Sequence, residues 1–298
     1  MSVTDVALLN AAEFVNVSAP DWYVQQVLDD DAELERALQA RDLSTLRVAW
    51  DDPSMDWSAP RLLLIRSVWD YFERYPEFSD WLNRVSAHPN IVNAPETLRW
   101  NIDKHYLADL QARGVHIPPT HFIETGSTTT LKELHEQTGW TETVIKPCVS
   151  AGGYHTYRLN PDNLEEYEAV FQEVIAKQAM MLQPFLNFVV ETGEYSLMCF
   201  GGKYSFAVKK IAKSGDFRVQ DNYGGTVHPY EPTPEEIAFA EASVAAVSPQ
   251  PVYARVDIIR DNEGQLALAE LELIEPELWL RMHPPAADAF ADAIARAL

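Results

Sequence analysis

Apolar and polar residues alternate with period two in Tyr253-Ala-Arg255-Val-Asp257-Ile-Ile, and again in Leu266-Ala-Leu-Ala-Glu270-Leu-Glu272-Leu-Ile. Each stretch therefore predicts a strand. Arg255 and Asp257 share one face of the first, opposite Ala254, Val256 and Ile258, and Glu270 and Glu272 share one face of the second. Asp261-Asn-Glu-Gly264 is a turn signal, and an even four-residue loop leaves all four charged groups on one face of a hairpin. Further strands are expected over 195–201 and 203–211. Between the two pairs, Thr233 as N-cap, Pro234 at the first helical position and Glu236 completing a capping box predict a helix start. Phe290, Ile294 and Leu298 recur at four-residue spacing and predict a terminal helix over 286–298.

The earlier chain has a different texture. Short apolar runs at Val6–Leu9, Leu46–Ala49 and Leu62–Ile65 alternate with helical stretches at Asp30–Leu38 and Phe72–Val85. That order predicts a small α/β unit with a partly parallel sheet. In the middle, Val144-Ile145 closes a strand, Leu164, Tyr167, Phe171 and Ile175 form a helical stripe, and Met180-Met-Leu182 opens another strand. The fold class expected is mixed α/β and α+β in three lobes, over 1–100, 101–185 and 186–298.

Composition narrows the possible functions. A chain of 298 residues with 47% hydrophobic content and eight tryptophans is folded rather than disordered. No apolar run approaches the roughly 20 residues of a membrane helix, so no membrane partner is expected. Met1-Ser-Val-Thr-Asp5 has no basic stretch of a secretory signal, and Cys148 and Cys199 lie far apart, which together point to the cytoplasm. The net charge of −22 excludes a nucleic-acid partner and leaves a small molecule. Positive charge is unevenly placed: no lysine precedes Lys104, whereas Lys203, Lys209, Lys210 and Lys213 cluster with Arg218.

Asp257, Glu270 and Glu272 beside Arg255 offer oxygen ligands for a hard cation such as Mg2+. Lys146 ends a strand and is followed by Ser150-Ala-Gly152-Gly153-Tyr-His155-Thr156, small residues whose amides suit a phosphate. The lysine precedes the glycines and no GK[ST] ending is present, so this is not a Walker A loop. Taken singly, Lys104, the Lys146 loop and Gly224-Gly225 are ordinary surface features.

Their order is the informative part. A lysine, a lysine with a small-residue loop, a strand ending in Gln183-Pro184, Gly193-Glu194, the basic island with Gly224-Gly225, and finally Arg255-Val-Asp257 with Glu270-Leu-Glu272 follow one another. This series resembles the ATP-grasp superfamily, in its glutathione synthetase and D-alanine–D-alanine ligase branch, over residues 95 to 280. Gly215-Asp-Phe-Arg218 through Gly224-Gly225 looks like the Arg-x-Asn…Gly-Gly element of glutathione synthetases. Glu272 stands where the family usually has asparagine, which keeps an oxygen donor and adds charge. The resemblance implies an ATP-grasp fold: an N-terminal α/β lobe, then two α+β lobes that clamp ATP.

It also implies roles. Lys104 and Lys146 match the lysines that hold ATP phosphates, and the loop containing Ser150, Gly152 and Gly153 matches the lid over them. Gln183, Pro184 and Leu186 match the adenine hinge, and Glu194 the acid on the ribose. Lys210 and Arg218 match the groups that meet the transferred phosphate, with Lys209 and Lys213 as rivals of Lys210. Asp257, Glu270 and Glu272 match the ligands of one or two Mg2+ ions, for which Mn2+ can substitute, and Arg255 the arginine facing the reacting carboxyl. The first lobe would supply the substrate pocket. There Arg66 can hold a carboxylate, Asp70 an ammonium, and Ser67, His155 and the segment Trp50-Asp51-Asp52-Pro53 can line the same cleft. A structural salt bridge is the competing reading of Arg66 and Asp70.

The activity implied is ATP-dependent joining of an amino-acid-like carboxylate to an amine through an acyl phosphate, with ADP and phosphate released. Arg66-Ser-x-Trp-Asp-Tyr71 and Phe217-Arg-Val-Gln220 are in addition similar to the ATP-grasp enzymes that close the D-cycloserine ring. Intramolecular cyclisation in antibiotic biosynthesis is therefore the alternative, followed by a non-catalytic nucleotide-binding protein and a small-molecule kinase. Enzymes of this type are commonly homodimers.

Overall fold

The structure, a computed structural model, describes residues 4–298. Residues 1–3 of the N-terminal segment read above lie outside the described residues. The first sheet has the order β2-β1-β3-β4, with β1 Val6–Asn10, β2 Thr45–Ala49, β3 Leu62–Ile65 and β4 Ile91–Val92. All its pairings are parallel. Parallel strands need crossovers that cover both faces, so β1 and β3 are buried throughout, which is why they read as uninterrupted apolar runs. The helix connecting β1 to β2 runs from Trp22 to Gln39, well upstream of the expected Asp30. Asp21 caps it by accepting from the Tyr23 and Val24 amides, a start signal that precedes the apolar stripe by two turns.

The second sheet, β5 His121–Ile123, β6 Thr143–Pro147, β7 Tyr157–Leu159 and β8 Met180–Pro184, has the order β5-β8-β6-β7 and is antiparallel. Helices Leu131–Thr138 and Leu164–Ile175 pack on one of its faces through Leu134, Phe171 and Ile175. The third sheet has the order β11-β10-β9-β12-β13. Its strands are β9 Glu194–Phe200, β10 Lys203–Ile211, β11 Thr226–Tyr230, β12 Tyr253–Arg260 and β13 Leu266–Glu272, paired antiparallel. The Thr233–Glu236 capping box is formed, and its helix Pro234–Ala245 covers one face through Ala240 and Val244.

The opposite face changes character along its length. At one end Met198, Phe200, Phe206, Val208 and Tyr253 are buried beneath the terminal helix Pro285–Ala295. Phe290 stacks on Phe200 at 4.7 Å and meets Tyr253 at 5.4 Å. The same core takes in Val6, Leu34, Leu38 and Leu64, so the terminal helix joins the first lobe to the third sheet. At the other end the face is charged and opens into a cleft.

Candidate active site

Pairing on the third sheet decides which charged groups meet. Ser196 lies opposite Asp257 and Glu194 opposite Lys210, so these side chains share the face of Arg255 and Asp257. β12 and β13 pair Arg260 with Leu266 across a five-residue connection, 261–265, rather than the expected four. An odd loop alone would turn Glu270 and Glu272 to the far face. A bulge at Ala269, between the Ile258–Leu268 and Asp257–Glu270 pairs, restores them. The result sets Asp257 opposite Glu270 and Arg255 opposite Glu272.

Asp257 is the hub. It accepts from Ser196 Oγ at 2.6 Å, Lys210 Nζ at 3.1 Å and Arg255 Nη2 at 2.9 Å. Burial alone would raise its pKa, but Arg255 and Lys210 hold it well below the usual carboxylate range. Lys210 also pairs with Glu194, and Arg255 with Glu272. Arg255 and Lys210 lie over the Trp279 ring at 5.2 and 5.9 Å. Glu272 is pushed up to about 8 by burial, with Asp257, Glu270 and Glu275 adding to it against Arg255. Glu275, also mainly through burial, is pushed up to about 7. Negative charge is thus in excess here, on oxygen donors that face one another. That is what a hard divalent cation requires, and Asp257, Glu270 and Glu272 fit one.

Opposite this face stand the two other lysines. Lys104, 5% exposed, donates to the Ser150 carbonyl at 2.7 Å and pairs with Glu270 Oε1 at 3.0 Å. Lys146, next to last in β6, lines the cleft, and among the described residues its ammonium has no ion pair. Burial, aided by Lys104, lowers its pKa. The cleft, of about 570 Å³, lies between the second and third sheets and reaches the first lobe. Gln183, Pro184 and Leu186 line its far end, where Gln183 Nε2 donates to Thr120 Oγ1 at 2.8 Å.

Among the basic residues the alternation of β10 selects Lys210. Lys209 points to the other face, over the Tyr195 ring, and Lys213 packs against Gly224. Arg218 lines the cleft, held by Asp216 at 2.8 Å and lying over the Tyr223 ring at 3.7 Å. The loop carrying Ser150, Gly152 and Gly153 forms the roof, with Tyr154 at its tip against Phe72 of the first lobe. Gly153 has φ +77°, and a Cβ there would sit 3.0 Å from Tyr223. Gly153→Ala is therefore expected to hinder roof closure, lowering turnover about tenfold for a strain of about 1–2 kcal/mol. Comparing ATP-dependent phosphate release with urea unfolding separates that effect from loss of the fold.

The first lobe corrects several expectations. Arg66 is 1% exposed and points away from the cleft, donating to Asp31 at 3.1 Å and lying over Phe290. Ser67 is buried, its amide donating to Asn10 and its carbonyl accepting from Ala11. Asp70 is tied to Trp50 Nε1 and Arg74, and Asp51 to Arg74, below the cleft rather than in it. His155 turns to the Tyr157 hydroxyl at 2.7 Å and does not line the cleft. Arg66 and Ser67 do follow the end of β3, but their side chains do not enter the cleft, and His155, in the central lobe, also turns aside. Arg66→Ala should accordingly unfold the protein more easily, by about 3–5 kcal/mol, because among the described residues Asp31 is left buried with only Arg47 at 3.5 Å. Urea denaturation measures this.

The groups that do face the cleft from this side were missed. They include Glu13, Tyr23, Trp69 and Tyr71, with Glu277 and Trp279 from the segment after β13. Trp69 donates to the Glu275 carbonyl at 2.8 Å and packs on Phe14 and Tyr23. Trp69 and Tyr71 look like ordinary core in the sequence, and Glu13 and Glu277 sit in no motif.

Residues 109–272 match the family model described as prokaryotic glutathione synthetase, ATP-grasp domain. The chain belongs to the ATP-grasp family. It is a ligase of that family, and the family generally uses ATP and Mg2+. Residues 6–93 match a second model, the N-terminal domain of D-cycloserine synthetase DcsG. Cycloserine biosynthesis protein DcsG of Streptomyces lavendulae is 31% identical over 267 residues, covering 84% of this chain and 87% of that protein. The crystal structure of D-cycloserine synthetase DcsG superimposes with a TM-score of 0.84 at 28% identity, over 98% of this chain and 99% of the other. D-alanine–D-alanine ligase from Bacillus anthracis shares the fold, with a TM-score of 0.68 at 14% identity over 99% and 97% of the two chains. A probable alpha-L-glutamate ligase of Parasynechococcus marenigrum (strain WH8102) is 29% identical over 60% of this ATP-grasp chain, which spans 37% of that protein. No helix among the described residues is long and apolar enough to cross a membrane.

Proposed function

We propose that this ATP-grasp ligase activates the carboxylate of an amino-acid analogue as an acyl phosphate and closes a nitrogen of the same molecule onto it, releasing ADP and phosphate. The observation that carries the reading is the match of the first lobe, which walls the acceptor end of the cleft, to the N-terminal domain of a D-cycloserine synthetase. Cycloserine is a ring in which a nitrogen carried on the side-chain oxygen of a serine skeleton is acylated by its own carboxyl. An O-substituted serine is therefore the substrate class, and antibiotic biosynthesis the setting. The cleft volume suits one small molecule beside a nucleotide.

The chain's own groups then have distinct tasks. Gln183, Pro184 and Leu186 hold the base, and Glu194 the ribose. Lys146, without an ion pair among the described residues, and Lys104 take the phosphates, while Lys210 and Arg218 follow the transferred group. Held by Asp257, Glu270 and Glu272, one or two Mg2+ ions, or Mn2+, would neutralise phosphate charge. A carboxylate oxygen attacks the terminal phosphorus as ADP leaves. The substrate nitrogen next attacks the acyl carbon and loses its proton, phosphate departs, and Arg255 steadies the tetrahedral oxyanion. Glu13 and Asp221, both at the acceptor end, suit the α-ammonium. The roof loop keeps water from the acyl phosphate. These assignments make the site symmetric in its logic: cations meet phosphates, and carboxylates meet cations.

Intermolecular ligation is the second reading, favoured by the relatives named alpha-L-glutamate ligases. The test is phosphate release from Mg-ATP against D- and L-amino acids, dipeptides and O-substituted serines, with mass spectrometry of products. A cyclic product from one O-substituted serine is expected. A product containing two substrate molecules would transfer the reading to ligation.

A further inference from the structure

Outside the cleft, a second cluster joins the segments that carry the two phosphate-facing lysines. A carboxylate oxygen of Asp103, a ring nitrogen of His105 and Sγ of Cys148 all lie within 4.8 Å of one another. Asp103 and His105 flank Lys104, and Cys148 follows Lys146 by two residues. The Lys104 amide donates to the Cys148 carbonyl at 2.9 Å, so the turn and the strand end are already bonded where the three side chains meet.

We propose that Asp103, His105 and Cys148 form a binding site for a transition-metal dication of the Zn2+ class. Thiolate, imidazole and carboxylate together are the donor set such ions prefer, whereas Mg2+ takes the all-oxygen hairpin. Two further observations point to a ligand. Cys148 is 1% exposed, with no hydrogen bond to its sulfur among the described residues. The His105 ring shares a hydrogen bond with Asp103 Oδ1 through Nδ1 at 2.6 Å, while its buried Nε2 has no hydrogen-bond partner among the described residues, with Glu124 Oε1 3.4 Å away as a prospective fourth donor. Phe122 stacks on the imidazole at 4.4 Å and fixes its plane. Asp103 and His105 are half-exposed, which opens a path from solvent to the sulfur.

Donors around one zinc stand about 3.5 Å apart, given Zn–S and Zn–N bonds of about 2.3 and 2.0 Å. The longest separations must shorten by roughly 1 Å while the Asp103 Oδ1–His105 Nδ1 contact, now 2.6 Å, must lengthen, and the two half-exposed side chains can supply both movements. Burial first, and then the Asp103 carboxylate, push the Cys148 thiol up to about 12. The free chain therefore carries a protonated sulfur, and an incoming ion replaces that proton, which leaves to solvent. An ion so bound would clamp from behind the two segments that present Lys104 and Lys146 to the nucleotide.

The test is a Co2+ titration of the whole protein with Mg2+ in excess, so that the hairpin carboxylates are occupied. A thiolate-to-cobalt charge-transfer band saturating at one equivalent is expected, and the same band in Cys199→Ala. It should vanish in Cys148→Ala, and His105→Gln and Asp103→Asn should weaken Co2+ binding by at least about tenfold. Because those last two side chains are half-exposed, they decide the matter if Cys148→Ala does not fold. No band, a band that survives Cys148→Ala, or unchanged affinity in both other variants would overturn the proposal. The readout is a spectrum and is independent of turnover.

Discussion

Glu270→Gln is expected to lower ATP turnover by about a thousandfold while leaving the fold intact. A divalent cation held on this hairpin would supply several kcal/mol of charge stabilisation at the phosphates, and about 4 kcal/mol corresponds to three decades in rate. Glu270 is the cleanest place to remove it, because among the described residues its one ion-pair partner is Lys104, at 3.0 Å. Asp257→Asn should be equally inactive but less stable. Its carboxylate receives Ser196, Lys210 and Arg255, and without its charge the two buried cations keep, as carboxylate partners among the described residues, Glu194 and Glu272 alone. Breaking such a network costs about 3–5 kcal/mol. Phosphate release and urea unfolding on both variants give the comparison. Normal turnover in Glu270→Gln would remove the hairpin from the chemistry.

How much of this was legible in the sequence depends on whether local pattern or the ladder sets a feature. The hairpin faces follow from alternation, and the core strands of the first lobe from unbroken apolar runs. The bulge at Ala269 does not: it is a property of pairing, and it cancels a one-residue error in the loop. Choosing Lys210 over Lys209 needed only the partner strand, since Glu194 and Ser196 fix which face is charged. Arg66 shows the opposite limit. A strand end places a residue near the cleft, but burial beside Asp31 and Phe290 turns its side chain away. The cleft-lining groups Glu13, Glu277 and Trp279 come from irregular segments that meet only in the folded chain, and no spacing rule reaches them. The Thr130–Glu133 capping box is the local case again, set by two residues three apart.

Lys146→Met should separate binding from stability more sharply than any other change. Most cations around the cleft are held by protein carboxylates, so removing one injures both fold and function. Lys146 has no such partner among the described residues, and burial already lowers its pKa, so the folded protein bears a cost to keep it charged. Replacing the ammonium with a thioether of similar length should leave the urea midpoint unchanged or raise it. Activity should fall by about a hundredfold or more in kcat/KM for ATP, the cost of about 3 kcal/mol of lost phosphate contact. Lys104→Met is the contrast. It strands Glu270 in the cleft beside Glu272 and Glu275, and should lose stability by about 1–3 kcal/mol together with activity. If both variants were equally destabilised, Lys146 would be a structural cation; if Lys146→Met kept full activity, the phosphates would lie elsewhere. A stable, inactive Lys146→Met beside an unstable, inactive Lys104→Met would mean that one lysine waits for the nucleotide while the other also holds the empty site together.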